Sequence, residues 1–200
     1  MEFFDLHNHL YGSISAETLF EIGKRNPNPR WKLFTELHKK LFGEEIRTES
    51  FFQDYSDLAR FKNLYYFKKP APFIEFQSKF NLIIALSKFD EEEIFFVAKQ
   101  IVSEQADQGV NFGEYRIMYA PNATKEVYFS KTIATCEGLA EGEKLPKGKM
   151  QAKAVVSLHR DGNFFLQYEW LKELLIENDL ARKYLVGIDF CYIEEGFPPR

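Results

Sequence analysis

Three features of this 200-residue sequence predict an α/β fold. Four short apolar segments alternate with longer segments of helical periodicity, which is typical of parallel strands joined by right-handed crossovers. Polar side chains follow each of these strands, as they do at the active-site rim of a (β/α)8 barrel, and a complete barrel takes about 250 residues. We therefore expect residues 1–200 to form the N-terminal half of a single TIM-type barrel domain, with about the first four strand-helix units.

The first strand is expected at Glu2–Leu6. It leads into a predicted helix at Ser15–Lys24, where Ser15 is a favourable N-cap residue. A second helix follows at Trp31–Leu41, and a Phe- and Tyr-rich connection is then expected to run to Pro72.

The helical spacing of Phe, Ile and Val side chains predicts two further helices before the second strand. One begins at Phe73, and the other follows the capping residue Asp90 and stops at Gly109. The second strand is expected at Asn111–Tyr119, and a helix within Thr124–Ala140 follows it.

The alternation repeats in the last third of the sequence. A third strand is predicted at Ala152–Leu158, a helix at Phe164–Glu177 and a fourth strand at Leu185–Phe190. The segment Gly142–Lys149 is expected to be an exposed loop.

Composition and charge exclude several functional classes. The 26 Lys and Arg against 30 Asp and Glu give a formal charge of -4, without the basic patch that nucleic acids require. No charge-free apolar run approaches the ~20 residues that span a bilayer, and the N-terminus lacks a signal-peptide core, so we expect a soluble cytoplasmic protein without a membrane partner. Cys136 and Cys191 lie far apart without a ligand motif, which agrees with a reducing compartment.

The strongest chemical signal is the sequence Asp5-Leu6-His7-Asn8-His9 near the first strand. Alternate side chains of a strand point to the same face, so Asp5, His7 and His9 are expected to project together. Neutral imidazoles are good zinc ligands, and a nearby carboxylate orients a ligand ring or binds the ion itself. The motif therefore predicts a site for one divalent metal ion.

Other polar residues carry weaker predictions. Glu114 and Arg116 share a strand face, where a structural ion pair in the barrel interior is favoured over a catalytic role, and neither is assigned to the site. His38 lies in a charged segment and is expected at the surface, whereas His159 is expected at the polar rim of the third strand. Asp189 closes an otherwise buried apolar strand, where a carboxylate without partners is costly.

Three segments resemble the adenosine deaminase family of metal-dependent amidohydrolases. DLHNHLYGSISAETL is similar to the family's opening His-x-His strand and helix, GVNFGEYRIMYAPN to its second strand, and LVGIDF to its fourth strand. The spacing between the three segments also agrees. The resemblance covers the entire chain, although thinly outside these motifs.

This resemblance implies zinc-dependent hydrolytic deamination of a purine nucleoside, of the adenosine-to-inosine type. His7 and His9 match the first two metal ligands. The family's other ligands and its acid and base groups lie on strands five to eight, so no catalytic residue is expected in this chain. Either the full protein is longer, or a second chain supplies the other half of the barrel, or the chain alone is inert.

The resemblance also implies a set of substrate contacts, with two departures from the family pattern. Tyr11 stands where the family has an Asp that contacts the ribose 5′-hydroxyl, and Tyr192 follows strand four where the family has a Gly. Phe76 and Phe80 match a helix that gates the purine, although a Phe stripe at helical spacing is more often core. The expected substrate-binding residues are Tyr11, Gly12, Phe76, Phe80, Asp189 and Tyr192.

Two other functional classes stay open. A phosphoesterase of the polymerase-and-histidinol-phosphatase type also begins with an Asp-x-His-x-His strand, but it needs further early ligands that the residues after Gly12 do not supply. A half-barrel without activity would bind a partner chain through its exposed sheet edges. Metal content and deaminase activity separate these classes.

Overall fold

The computed structural model describes residues 3–145, 150–160 and 162–191. In these residues β1 (Phe3–His9), β2 (Val110–Met118), β3 (Gln151–His159) and β4 (Leu185–Cys191) form one parallel sheet in the order β1-β2-β3-β4. A strand order that follows the chain is that of a (β/α)8 barrel, because a doubly wound sheet reverses its order at a switch point. The predicted α/β class and its four parallel strands are confirmed.

The sheet strands are joined by helices whose starts agree with the capping residues in the sequence. Ser15 accepts a hydrogen bond from the Thr18 N–H, and Asp90 accepts one from the Glu93 N–H. The helices of the described residues are α1 (Ala16–Lys24), α2 (Lys32–Phe42), α3 (Phe51–Asp54), α4 (Leu58–Tyr65), α5 (Phe73–Leu86), α6 (Glu91–Asp107), α7 (Lys125–Glu143), α8 (Phe164–Glu177) and α9 (Asp179–Tyr184). Among them, none combines the length and the apolar character needed to cross a membrane.

The chain divides into two compact units. The sheet unit comprises residues 1–13 and 90–200, and the helical unit comprises residues 14–89. The sheet unit contains β1 to β4 and the helices from α6 onward, and the helical unit contains α1 to α5. That residues 1–200 make up half of a single barrel domain stays a prediction.

In the sheet unit, α6 and α7 pack in very close contact. A Cβ added at Gly138 of α7 would lie 2.4 Å from the carbonyl oxygen of Phe95 and 2.7 Å from the Cβ of Ala98 in α6. Real Cβ atoms do not approach this closely, so the glycine is required by packing rather than by backbone conformation. The sequence predicted an exposed loop at Gly142–Lys149. The start of this prediction is wrong, because α7 continues to Glu143. Residues 146–149 lie outside the described part of the chain.

The helical unit is organised around an aromatic core. Phe34, Phe51 and Phe61 are almost completely buried, and the ring of Phe51 lies 4.7 Å from that of Trp31 between centroids. The prediction of a simple connection from Leu41 to Pro72 is wrong, because α3 and α4 lie within it. These helices span 4 and 8 residues, too short to establish a helical period in the sequence.

His38 is a second correction in the helical unit. It was expected at the surface, yet it is 5% exposed and lies between the rings of Phe34 and Phe42, at centroid distances of 5.4 and 4.8 Å. Burial, followed by the charge of Lys79, lowers the pKa of His38, while Glu44 acts in the opposite direction. The imidazole therefore behaves as a neutral core residue.

Candidate metal centre

The candidate site lies on one face of the sheet. Tyr115 and Ile117 of β2 are buried, and the Tyr115 hydroxyl donates a hydrogen bond of 2.5 Å to Gln105 of α6. Because side chains alternate along a strand, Glu114 and Arg116 of β2 point to the opposite face. We call the face that carries Glu114 and Arg116 the open face.

His7 and His9 lie on this open face, at the carboxyl end of β1. The register pairs His9 with Arg116 and pairs Asn8 with the buried Tyr115. His7 and His9 are solvent-accessible residues, and their ring centroids lie 6.2 Å apart with the ring planes at 63°. The sequence motif therefore places two imidazoles next to each other at the strand end.

Two imidazoles in this arrangement are close enough to share a metal ion after a small movement of the rings. Tetrahedral zinc binds imidazole nitrogen at about 2.0–2.1 Å, which puts the centroids of two ligand rings about 5 Å apart. The rings of His7 and His9 are 6.2 Å apart, so they have to approach each other by about 1 Å to bind one ion in this geometry. Within residues 3–145, 150–160 and 162–191, no three His, Cys, Asp or Glu side chains come together as a metal site, so this pair needs a further ligand from elsewhere.

Asp5 does not share the face of the two histidines, contrary to the expectation from simple alternation. It is the register partner of Gly113, on the same side as Tyr115, and β1 carries one extra residue between Asp5 and Asn8. Such a bulge reverses the alternation, so Asp5 lies on the helix-covered side. Its charge raises the pKa of Tyr115, although burial is the larger cause.

Asp189 of β4 forms an ion pair with Arg116 of β2. The Arg116 Nε donates to Asp189 Oδ2 at 2.8 Å, and its Nη1 donates to the carbonyl oxygen of Leu6 in β1 at 3.0 Å. The other carboxylate oxygen of Asp189 accepts from the Phe190 N–H at 2.6 Å. Arg116 thus connects β1, β2 and β4. The sequence had suggested an interaction with Glu114, but Arg116 pairs with Asp189 instead.

β4 itself is more exposed than the sequence predicted. Val186, Ile188 and Phe190 are 51%, 46% and 41% exposed, so Asp189 does not close a buried strand. In the described sheet β4 is an edge strand with β3 on one side. The apolar residues that predicted a buried strand therefore lie on an exposed sheet edge, where another strand could pair with β4.

The surroundings of His9 favour its neutral form. Partial burial lowers the pKa of His9 most, the electrostatic interactions with His7 and Arg116 lower it further, and Asp189 acts in the opposite direction. A neutral imidazole has a free nitrogen lone pair, which is the form that binds a metal. Pairing with Asp189 partly neutralises Arg116, which reduces the repulsion that a bound cation would meet.

Tyr11 and Gly12 follow β1 in a short 3-10 turn, Tyr11–Ser13. The Tyr11 hydroxyl donates a hydrogen bond of 3.0 Å to Glu93 Oε1, and burial with the nearby carboxylate raises the pKa of Tyr11. The phenol is therefore uncharged. A Cβ added at Gly12 would lie 3.2 Å from the Cβ of His9, so this glycine allows the chain to pass close to the base of the His9 side chain.

Two of the other expected substrate contacts belong to the helical unit. Phe76 and Phe80 belong to α5 of the helical unit, with ring centroids 6.4 Å apart. Phe76 is 50% exposed, so this stripe is not simply core. Tyr192 lies outside the described residues.

Two contacts at the site were missed by the sequence analysis. The ion pair of Arg116 and Asp189 joins residues 73 positions apart, and the hydrogen bond from Tyr11 to Glu93 spans 82 positions. The polar positions at the strand ends were the available signal. Their pairing depends on strand register and helix placement, which residue spacing does not specify.

The sequence matches no protein-family model, and no curated protein matches it significantly. Solved structures do match over almost the whole chain. An amidohydrolase from Burkholderia ambifaria, solved with bound Zn, is 17% identical with a TM-score of 0.62, and the match covers 100% of this chain and 46% of that one.

Two deaminase structures are similar to the same extent. The adenine deaminase from Arthrobacter aurescens is 19% identical with a TM-score of 0.58, covering 98% of this chain and 50% of its own. The N6-methyl-AMP deaminase from Arabidopsis thaliana is 21% identical with a TM-score of 0.59, covering 96% of this chain and 49% of its own. This chain spans about half the length of the structures that it matches. The fold that the resemblance implied is therefore confirmed: the chain folds like about half of the barrel in these solved structures.

Proposed function

We propose that this chain contributes two metal ligands and part of the substrate pocket to a zinc-dependent hydrolase that deaminates a purine nucleoside. The observation that carries the proposal is the pair of His7 and His9 on the open face of β1, with ring centroids 6.2 Å apart. The comparisons support the proposal through the shared fold, the Zn bound in one similar structure and the purine substrates named for two others.

The residues of this chain have distinct tasks in such a site. Zinc held there supplies an activated water at neutral pH. His7 and His9 would hold the ion through neutral imidazole nitrogens, and Gly12 allows close approach of the His9 Cβ. Arg116 is held by Asp189 and by the Leu6 carbonyl, which fixes its charge beside His9. The proton-transfer groups of the reaction are assigned to the half of the barrel that this chain does not contain.

Tyr11 and Asp189 are the polar substrate contacts that we propose on this side of the pocket. Tyr11 is an uncharged phenol that already donates to Glu93 and cannot act as an ionised acceptor for a 5′-hydroxyl. We therefore expect similar turnover of adenosine and 5′-deoxyadenosine. A strong preference for adenosine that disappears in Tyr11→Phe would show that the phenol binds the 5′-hydroxyl after all.

The uncovered apolar residues of the sheet support a second barrel half. β1 and β4 are the two edges of the described sheet, and Phe4 and Leu6 of β1 are 60% and 53% exposed. A closed barrel has no edges, so additional parallel strands would pair with β1 and β4 and bury these side chains. We propose that a longer polypeptide or a second chain supplies them.

The test compares metal content and ammonia release in the longest polypeptide that the gene encodes. The proposed deaminase function predicts about one zinc per site and release of ammonia from adenosine. Both should be lost in the double variant His7→Ala/His9→Ala. His38→Leu removes a buried histidine of the helical unit and is the matched control that should keep both. Phosphate release from a phosphomonoester, with metal but no ammonia, would instead identify a phosphoesterase. Absence of both metal and turnover would contradict the proposed function.

A further inference from the structure

The segment that follows the two histidines is held to β1, β2 and α6 by hydrogen bonds. The Leu10 N–H donates to a backbone carbonyl oxygen of β2 at 3.0 Å. The Ser13 hydroxyl donates to the carbonyl oxygen of His9 at 3.0 Å. The Tyr11 hydroxyl donates to Glu93 Oε1 of α6, also at 3.0 Å. Of these three contacts, the last joins two side chains, so it depends on the identity of both residues.

Glu93 is held firmly in the first turn of α6. It is 7% exposed, and its N–H donates a hydrogen bond of 2.9 Å to Oδ1 of the capping residue Asp90. Ile94 and Val97, which follow it in the helix, are buried in the core of the sheet unit. The backbone of Glu93 is thus fixed by the cap and its carboxylate is bonded to Tyr11, as a buried carboxylate requires. Glu93 therefore offers Tyr11 a rigid attachment.

The contact between Tyr11 and Glu93 acts close to the proposed metal ligands. Tyr11 and Ser13 belong to the same 3-10 turn, and Ser13 donates to the His9 carbonyl. In that turn, a Cβ at Gly12 would lie 3.2 Å from the Cβ of His9. A displacement of the turn would therefore displace His9. Metal affinity depends on such contacts, because they hold the ligand rings in the orientation that the ion needs.

We propose that Glu93 is a positioning residue of the candidate metal centre. It acts through the Tyr11 hydroxyl to hold the turn behind His9, and it does not bind the ion itself. This inference rests on the proposed function, since it requires zinc at His7 and His9. It adds to that site a residue of α6, more than 80 positions away in the sequence.

Zinc affinity of the longest polypeptide that the gene encodes tests the proposal without any need for turnover. It is measured by competition with a chromophoric chelator. Glu93→Met keeps the length of the side chain but removes its acceptor, and Tyr11→Phe removes the donor. Each should weaken zinc binding about 2- to 10-fold, because one hydrogen bond of ordinary net strength is lost. Glu93→Gln keeps an acceptor oxygen and should bind zinc like the parent.

A double variant and a matched control separate positioning from general stability. Glu93→Met/Tyr11→Phe should bind zinc as weakly as either single variant, because both changes remove the same hydrogen bond. Tyr184→Phe removes another Tyr-to-Glu hydrogen bond of the sheet unit, which Tyr184 donates to Glu143 at 2.7 Å. Tyr184 directly precedes β4, whereas His9 ends β1, so this variant should keep the zinc affinity of the parent.

The outcomes distinguish this inference from the proposed function. If the parent binds zinc and Glu93→Met binds it equally well, this inference alone is overturned. It is also overturned by additive losses in the double variant, or by an equal loss in Tyr184→Phe or Glu93→Gln. Tyr11→Phe, which retains the ring, decides the matter if Glu93→Met does not fold. A folded parent that binds no zinc would contradict the proposed function and this inference with it.

Discussion

The sheet unit and the helical unit differ in charge and in the chemistry that they present. The helical unit carries 13 Lys and Arg against 9 Asp and Glu, a formal charge of +4, whereas the sheet unit carries 13 against 21, a formal charge of -8. The overall charge of -4 averages the two. The acidic unit is the one that presents the imidazole pair, and negative surroundings favour a bound cation. Average composition therefore hides two units of opposite charge.

The largest expected effect is a loss of stability in one unit that leaves the other unit unchanged. Phe61→Ala removes a fully buried ring from the helical unit and should lower its free energy of unfolding by about 3–5 kcal/mol. The two tryptophans allow each unit to be followed separately, since Trp31 lies in the helical unit and Trp170 in the sheet unit. Fluorescence of single-tryptophan variants during urea unfolding should show the larger shift at Trp31.

Leu139→Ala is the reciprocal variant in the sheet unit. Leu139 is fully buried in α7, and its truncation should cost about 2–5 kcal/mol. The larger shift is then expected at Trp170. Equal shifts at both tryptophans in both variants would show that the two units unfold as one cooperative structure.

A smaller effect tests the close packing of α6 and α7 in the sheet unit. Gly138→Ala places a Cβ 2.4 Å from the Phe95 carbonyl oxygen and should destabilise the unit by about 1–3 kcal/mol, although Ala is the better helix former by about 1 kcal/mol. Glu137→Ala, at an exposed position of the same helix, is the control and should change stability little. An increase in the urea midpoint of Gly138→Ala would show that α6 and α7 are less closely packed than described.

The two units also differ in how well the sequence predicts them. Strands and helices of the sheet unit have long, periodic patterns, and α8 was predicted with the bounds found, Phe164–Glu177. In the helical unit, α3 and α4 are short and rich in aromatic residues, so their type is set by packing around Phe51 and Phe61 rather than by local pattern. Periodicity is informative only over several turns.

Within the candidate site, residue identity was predictable and geometry was not. His7 and His9 follow from their spacing, because a two-residue period puts them on one face. The bulge that moves Asp5 to the other face depends on the pairing of β1 with β2, which the residues of β1 do not reveal. The pairing of Arg116 with Asp189 likewise depends on the positions of two different strands.

The smallest expected effect is a pH dependence confined to the helical unit. Burial lowers the pKa of His38 below its ordinary value of 6.5, so in this range the unfolded chain binds a proton that the folded chain does not. Stability of the helical unit should therefore fall as pH decreases below about 6.5, until the folded-state pKa is reached. Urea midpoints at Trp31 between pH 7.5 and about 5 measure this, and His38→Leu should reduce the slope. A slope unchanged by His38→Leu would assign the dependence to another group.

The central claim is that His7 and His9 together bind a metal ion, and zinc stoichiometry of the longest polypeptide encoded by the gene tests it most directly. Elemental analysis after dialysis against trace zinc should give about one zinc per site for the parent and for His38→Leu, and close to none for His7→Ala/His9→Ala. Circular dichroism should show that all three proteins are folded. Equal zinc content in the folded double-histidine variant and the parent would contradict the account.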